Sequence, residues 1–294
     1  MTRLLLIINP KSGKGTIRNH LLDVTDVFIK AGYDVTIYIS QQRGDARHKV
    51  EKMARFYDLV VCSGGDGTLD EVVSGMMESE IKCPVGYIPA GSTNDFADSL
   101  KLPKVMTEAA KRITEFNEFP CDIGRFNGGY FVYVAAFGLF TDVSYETSQD
   151  LKNALGHMAY VLEGAKKLTS IKSYHMTAKV DDGTEVSGDY IYGMVTNSTS
   201  VGGFKNLTGK DVKLDDGMFE LTLVRMPKNL VELQAIISAM MSQTPDDKYF
   251  FQTRGREIVL TSEEPVPWAR DGEYGGEHTE VCIQSVERAL TLLV

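Results

Sequence analysis

Apolar residues in the first third of the chain follow two alternating rhythms. LLLIIN (4–9) is a short apolar run ended by a turn. Residues 16–32 then carry Leu21, Val24, Val27 and Phe28 at helical spacing and stop at Gly32. YDVTIYIS (33–40) is β-branched and aromatic, residues 45–57 read as a helix, and DLVVC (58–62) as a buried strand. Residues 69–79 return to helix, 84–90 to strand and 94–100 to a short helix. Apolar strands separated by helical segments predict an α/β domain with a mainly parallel sheet covered on both faces. Ligands of such sheets bind beyond the carboxyl ends of the strands. Asn9, Gly64 and Gly91 each follow a strand at that edge, so three loops separated in sequence are expected to meet.

From about Cys121 the pattern changes. FNGGYFVYVAAFG, SYHMTAKVDDGTEVSGDYIYGMVTNS, GMFELTLVRMP, REIVLTS and EVCIQSVERALTLLV read as strands joined by Gly-Gly, Asp-Asp-Gly and Pro turns. Helical signals persist only at 148–169 and 229–242. A second, β-rich domain of antiparallel, sandwich-like character is expected. The predicted division is 1–121 and 122–284, and a return of residues 285–294 to the first domain is left open. No internal repeat or low-complexity linker is present.

The chain has 294 residues and a formal net charge of −9, which argues against nucleic acid as a partner. Four cysteines, Cys62, Cys83, Cys121 and Cys282, form no CxxC pair, so a reducing cytoplasm is expected. The start MTRLLLIINPKSG has too short an apolar run for a secretion signal, and no apolar stretch has the length of a membrane-spanning helix.

Three loops carry the candidate chemistry. GGDGT (64–68) lies between a strand and a helix, where glycines let backbone N–H groups approach a phosphate and the helix end attracts it. Asp66 would repel a polyphosphate unless a cation intervenes, and Mg²⁺ favours carboxylate together with phosphate oxygens. Thr68 is placed to cap the helix or to bind phosphate. The competing account is a plain turn with Asp66 as turn former. PKSGKG (10–15) brings Ser12 and Gly13 to the same edge without matching the Walker A spacing. PAGSTNDF (89–96) adds Gly91, Ser92, Thr93 and Asn94. Three phosphate-competent loops favour nucleotide binding over three unrelated turns.

NPKSG, GGDGTLDEVVSG and PAGSTNDFA together resemble the diacylglycerol kinase catalytic domain family, most of all its soluble bacterial lipid kinases. VSYET, KLDDGMFEL and the late DGEYGG extend the resemblance over essentially the whole chain. It implies a nucleotide-binding α/β domain, a β-rich second domain, an active site in the cleft between them, MgATP as donor and a lipid hydroxyl as acceptor. Matched position by position, the nucleotide would contact Asn9, Pro10, Lys11, Ser12, Gly13, Ser40, Gly64, Gly65, Asp66, Gly67, Thr68, Leu69, Asp70 and Ser92. The family usually reads GGDGTLNE. Here Asp70 stands in place of the Asn, which removes an amide donor and adds charge.

In the second domain KLDDGMFEL (213–221) reads by spacing as a hairpin turn. The resemblance implies instead a structural Mg²⁺ held by Asp216 and the carbonyls of Lys213 and Met218, linked through water to Asp66. In DGEYGGE (271–277), Asp271 and Glu273 would face one side of an extended segment. The resemblance selects Glu273 as acceptor of the attacking hydroxyl's proton, with Asp271 as orienter or rival, and also points to Asp122. Spacing alone leaves a solvated turn open. For membrane visits without a span, Lys166, Lys167 and Lys172 interleave with Leu162, Leu168 and Ile171, and Lys14 and Arg18 add charge; a solvated helix face explains the same pattern. The expected activity is Mg²⁺-dependent transfer from ATP to diacylglycerol by a cytoplasmic, transiently membrane-associated enzyme for which a homodimer is open. Rival acceptors are phosphatidylglycerol, sphingosine and NAD. A nucleotide-binding regulator without turnover is the rival of another class.

Overall fold

The computed structural model describes residues 2–13, 15–139, 171–202, 204–205, 207–209 and 211–294. The expected helix at 148–169 and the basic residues Lys14, Lys166 and Lys167 lie outside this set. The chain divides into two compact units. The first comprises Met1–Ile123, Gly129–Val132 and Val286–Val294, and the second Gly124–Gly128 and Tyr133–Ser285.

In the first unit, strands β1 (Thr2–Ile8), β2 (Tyr33–Ile39), β3 (Leu59–Gly64) and β4 (Val85–Pro89) alternate with helices. These are α1 (Ile17–Lys30), α2 (Asp45–Met53), α3 (Asp66–Glu78), the short α4 (Asp95–Ser99) and α5 (Met106–Thr114). The strands lie in the order β4-β3-β1-β2, and each of these pairings is parallel. The closing strand of the chain adds Leu292 and Leu293 alongside Val85 and Gly86, also parallel. This tail is where residues 286–294 return to the first unit. Asp122, fully buried, fixes the return by accepting the Arg288 amide at 2.7 Å.

Leu4 through Ile7 are all fully buried, as a strand covered on both faces requires. Leu4, Leu6, Leu59, Val61 and Ile88 pack with Val24 and Phe28 of α1 and Ala109, Ala110 and Ile113 of α5. Each large side chain so buried contributes roughly 1.5–3 kcal/mol. Helix α5 was not foreseen from the sequence.

Parallel pairing stops at this unit. Strands β5 (Glu118–Phe126) and β6 (Gly129–Phe131) pair with each other, and β10 (Ser200–Val201) pairs antiparallel with β11 (Phe204–Lys205). The second unit is antiparallel: β7 (Val134–Gly138), β8 (Tyr174–Val180), β9 (Glu185–Thr196), β12 (Phe219–Arg225), β13 (Phe250–Gly255), β14 (Glu257–Arg270) and the first part of β15 (Glu273–Leu293) pair in that sense. Over the whole chain antiparallel ladders therefore dominate, and a mainly parallel sheet describes the first unit alone. Helix α6 (Leu230–Ser242) starts at Asn229, whose side chain accepts the Glu232 amide. Trp268 is 2% exposed, with its ring centroid 5.0 Å from Phe137 and 5.4 Å from Phe126, so it fills core.

Candidate functional site

Four strand ends converge in the first unit. The Asn9 amide donates to Ser63 O at 3.0 Å, Ser40 N to Ile8 O at 2.9 Å, and Ala90 N to Gly64 O at 2.7 Å. The loops after β1, β2, β3 and β4 therefore share one edge. Side chains tie them further: Asn9 Nδ2 donates to Thr68 Oγ1 at 3.0 Å, and Gly65 N to Ser12 Oγ at 3.1 Å. Lys11 N donates to Asn9 Oδ1 at 3.0 Å, which shapes the turn after β1.

Glycine is required where the loops touch. Gly13 has φ +53°, and a Cβ there would stand 2.6 Å from Ala90 O. A Cβ on Gly91 would stand 2.6 Å from the Gly65 Cα. Only bare backbone fits this crossing, leaving three loops that present main chain rather than side chain.

Helix α3 begins at Asp66, three residues before the expected start, so GGDGT supplies the helix terminus itself. Its N-cap is Gly65, without a side-chain cap. Thr68 is not that cap. It is buried and its hydroxyl is taken up by Asn9, which makes it a staple between two loops. An uncapped helix N-terminus beside a glycine crossing suits a phosphate. Asp66 lies in the first turn, and its Oδ2 accepts the Asp95 amide at 3.1 Å, joining α3 to α4. Burial, reinforced by the Asp66 charge, drives the Tyr87 phenol well above its ordinary value. Asp70, one turn into α3, accepts from Ser74 Oγ at 3.5 Å. Ser92 lies on the wall of a 300 Å³ cavity with Thr16, Thr93, Asn94, Asp98 and Lys104.

Glu71 was missed from sequence. It reaches from α3 to the start of α2, where Oε1 accepts Gly44 N at 2.7 Å and Oε2 accepts Ala46 N at 3.1 Å. Because α2 has Gly44 as N-cap and no cap of its own, Glu71 supplies it and anchors the loop that follows Ser40. An acid directly after GGDGTLD, facing a Gly-Asp helix start, was the available signal.

In the second unit, Asp271 and Gly272 have φ of +47° and +83° and form the two-residue turn between paired Arg270 and Glu273. This is the Asp-Gly hairpin geometry with both central residues left-handed. Asp271 and Glu273 thus do not share one extended segment. Asp271 is buried, and its Oδ1 accepts both the Tyr133 and the Val134 amides at 3.0 Å. These bonds make it an anchor for the hairpin. Glu273 is half-buried at the start of β15, beside the exposed ring of Tyr274.

The KLDDGMFEL turn carries two carboxylates, Asp215 and Asp216. Asp216 Oδ1 accepts the Met218 amide at 3.0 Å, and Oδ2 lies 3.7 Å from the Arg254 guanidinium. Lys213 is exposed. Among the described residues no three His, Cys, Asp or Glu side chains gather at one point.

Comparison with known proteins agrees with this architecture. Residues 3–126 match the diacylglycerol kinase catalytic domain, and residues 135–294 the YegS C-terminal NAD kinase beta sandwich-like domain. A diacylglycerol kinase of Bacillus subtilis (strain 168) is 35% identical over 279 residues, spanning 94% of this chain and 91% of the relative. One from Staphylococcus aureus (strain Newman) is 35% identical over 278 residues, 94% and 87% of the two chains. A crystal structure of a diacylglycerol kinase from Bacillus anthracis str. Sterne superimposes with a TM-score of 0.77 at 25% identity, covering 99% of this chain and 96% of that one. The two matched domains define a two-part kinase architecture. The chain belongs to the diacylglycerol kinase family.

Proposed function

We propose that the protein transfers the γ-phosphoryl group of ATP to the free hydroxyl of diacylglycerol, forming phosphatidic acid and ADP. The observation that carries the reading is the crossing of three glycine loops at the uncapped start of α3, within a chain 35% identical to a diacylglycerol kinase over most of its length. The phosphates lie against the main chain of residues 9–13 and 64–70, with Ser40 and Ser92 flanking. Asp66 would hold the metal that accompanies the nucleotide, and Mg²⁺ bound there would supply charge neutralisation for the transferring group.

The acceptor oxygen bonds to the γ-phosphorus as the bond to the β–γ bridging oxygen breaks. Glu273 takes the hydroxyl proton. Asp271 positions this segment through its two amide bonds and does not exchange the proton. A second, structural Mg²⁺ would rest on Asp216 with the carbonyls of Lys213 and Met218, and the Arg254 guanidinium must turn away to admit it. We place the enzyme in the cytoplasm, visiting the membrane transiently. No described helix is long and apolar enough to cross one. Of the basic stretch expected to meet lipid, only Ile171 and Lys172 fall among the described residues.

The β sandwich-like match keeps NAD as the second acceptor to test. The deciding experiment offers γ-labelled ATP and Mg²⁺ with diacylglycerol, phosphatidylglycerol, sphingosine or NAD, each in a separate reaction with lipids in mixed micelles. Labelled phosphatidic acid alone is expected. Label in another lipid changes the acceptor, label only in NAD replaces the reading, and ATP binding without any transfer turns the protein into a nucleotide-binding regulator.

A further inference from the structure

Within the second unit, the strand that carries Glu273 is irregular just beyond it. Glu273 pairs with Arg270 and Tyr274 with Ala269, but Trp268 pairs with Gly276, so Gly275 is an extra residue on β15 with no cross-strand partner. A bulge of this kind bends its strand and sets the backbone of the extra residue outside the ladder. Asp271 fixes the chain two residues before Glu273, and the bulge lies two residues after it. The aim of the Glu273 carboxylate therefore depends on what holds Gly275.

His278 holds it. The imidazole reaches back along its own strand, and Nε2 lies 3.0 Å from Gly275 O. A carbonyl only accepts, so Nε2 carries the proton. On the other side of the ring, Nδ1 lies 3.4 Å from Asn127 Nδ2. The orientation of that amide is set by its other contacts: Asn127 Oδ1 accepts the Cys282 amide at 2.9 Å, and Nδ2 donates to Glu280 O at 3.2 Å. Nδ1 thus faces a donor, and the Nε2–H tautomer satisfies both neighbours. Phe126 meets the imidazole edge to face, with centroids 5.4 Å apart, which fixes the plane of the ring. Gly276, with φ +95°, leaves the room for it, since a Cβ there would stand 2.9 Å from His278 Nε2. We propose that His278 is a positioning residue for phosphoryl transfer, holding the Gly275 bulge through its Nε2–H and so aiming Glu273 at the acceptor hydroxyl. The inference rests on the reading of Glu273 as proton acceptor, and His278 itself exchanges no proton with the substrate.

The test measures transfer from ATP and Mg²⁺ to diacylglycerol in mixed micelles by the full-length protein and its variants. His278→Leu should lower kcat by roughly 10–100-fold, the scale of a misplaced reacting group, with KM for ATP unchanged. His278→Gln, which keeps a side-chain N–H for Gly275 O, should recover most of the loss. Combined with Glu273→Gln, His278→Leu should lower kcat no further than Glu273→Gln alone, because both act through one carboxylate. Long-range ¹H–¹⁵N spectra of the parental protein should show His278 protonated on Nε2 and bare on Nδ1, a readout that needs no variant to fold. A parental kcat in folded His278→Leu, no recovery in His278→Gln, additive losses in the double variant, or an Nδ1–H tautomer would overturn the proposal. Activity lost in Glu273→Gln but kept in His278→Leu removes this inference alone. A parental kcat in Glu273→Gln removes the reading of Glu273 and the inference with it.

Discussion

At the scale of single residues, three carboxylates differ in what surrounds them, and the differences set what each can do. Asp66 accepts the Asp95 amide and is also the proposed metal holder, so its replacement tests two roles at once. Asp66→Ala should abolish turnover and loosen α4, whereas Asp66→Asn keeps the amide acceptor, preserves thermal stability and still loses activity. Turnover within tenfold of the parent in Asp66→Asn would remove it from metal binding. Glu273→Gln should lower kcat by roughly 10²–10⁴-fold with ATP affinity unchanged, the range for loss of one proton-transfer group; a parental kcat would dismiss it as base. Glu220 differs again: burial pushes its carboxyl from an ordinary 4.5 up to about 8. The native state then holds a proton the unfolded chain has lost, so its contribution to stability is present below about pH 4.5 and declines as pH rises towards about 8. The slope cannot exceed about 1.4 kcal/mol per pH unit for one group. Glu220→Gln should flatten the decline of melting temperature across this window, and identical pH profiles would show that the side chain is not held protonated.

At the scale of elements, helix termini meet strand ends, and the loop after β2 is held both by Asp45, which accepts the Gln41 and Gln42 amides, and by Glu71. Glu71 satisfies the N-cap amide and one first-turn amide of α2 from a neighbouring helix, and Arg47 of α2 pairs with Glu78 at the other end of α3. Losing a helix cap costs about 1–2 kcal/mol. Glu71→Ala should therefore lower the melting temperature and raise KM for ATP through a displaced Ser40 loop, with kcat much less affected. Glu71→Gln keeps the acceptor geometry at one oxygen and should recover part of both. A variant that loses stability but keeps its KM would limit Glu71 to fold maintenance. Pattern made some of these elements readable and hid others. The βα alternation was legible because strands such as Leu59–Gly64 are apolar throughout and their helices carry large residues at 3.6 spacing. Helix α5 escaped because its buried face, Met106, Ala109, Ala110 and Ile113, is half alanine, a weak apolar marker. Strand β13 escaped because FFQTRG has apolar residues only at its start.

At the scale of the molecule, the return of the chain's last residues to the first unit is a long-range event that local pattern leaves undetermined. VERALTLLV reads as a strand from its composition, but nothing in it names a neighbour. The three glycine loops were legible because each carries its own signal. By contrast, Asp122 caught the Arg288 amide and Asp271 the Tyr133 and Val134 amides, bonds spanning 166, 138 and 137 positions. Those pairings follow from topology, which residue spacing does not encode. The tail nonetheless carries weight: Leu290, Leu292 and Leu293 are each at most 2% exposed, and Leu293 belongs to the core formed by β1, β3, α1 and α5. Burial of three leucines contributes on the order of 5–9 kcal/mol, comparable with the whole stability of a domain. Removing residues 286–294 should therefore unfold the first unit while β14–β15 pairing, complete by Gln284, survives in the second. Hydrogen exchange would show it: amides of β1, β3 and β4 lose protection, ATP binding disappears, and β12–β13 amides keep theirs. Intact protection of β1 in the truncated chain would mean that the parallel sheet closes without its last strand, and the tail would then be an accessory to this unit's stability.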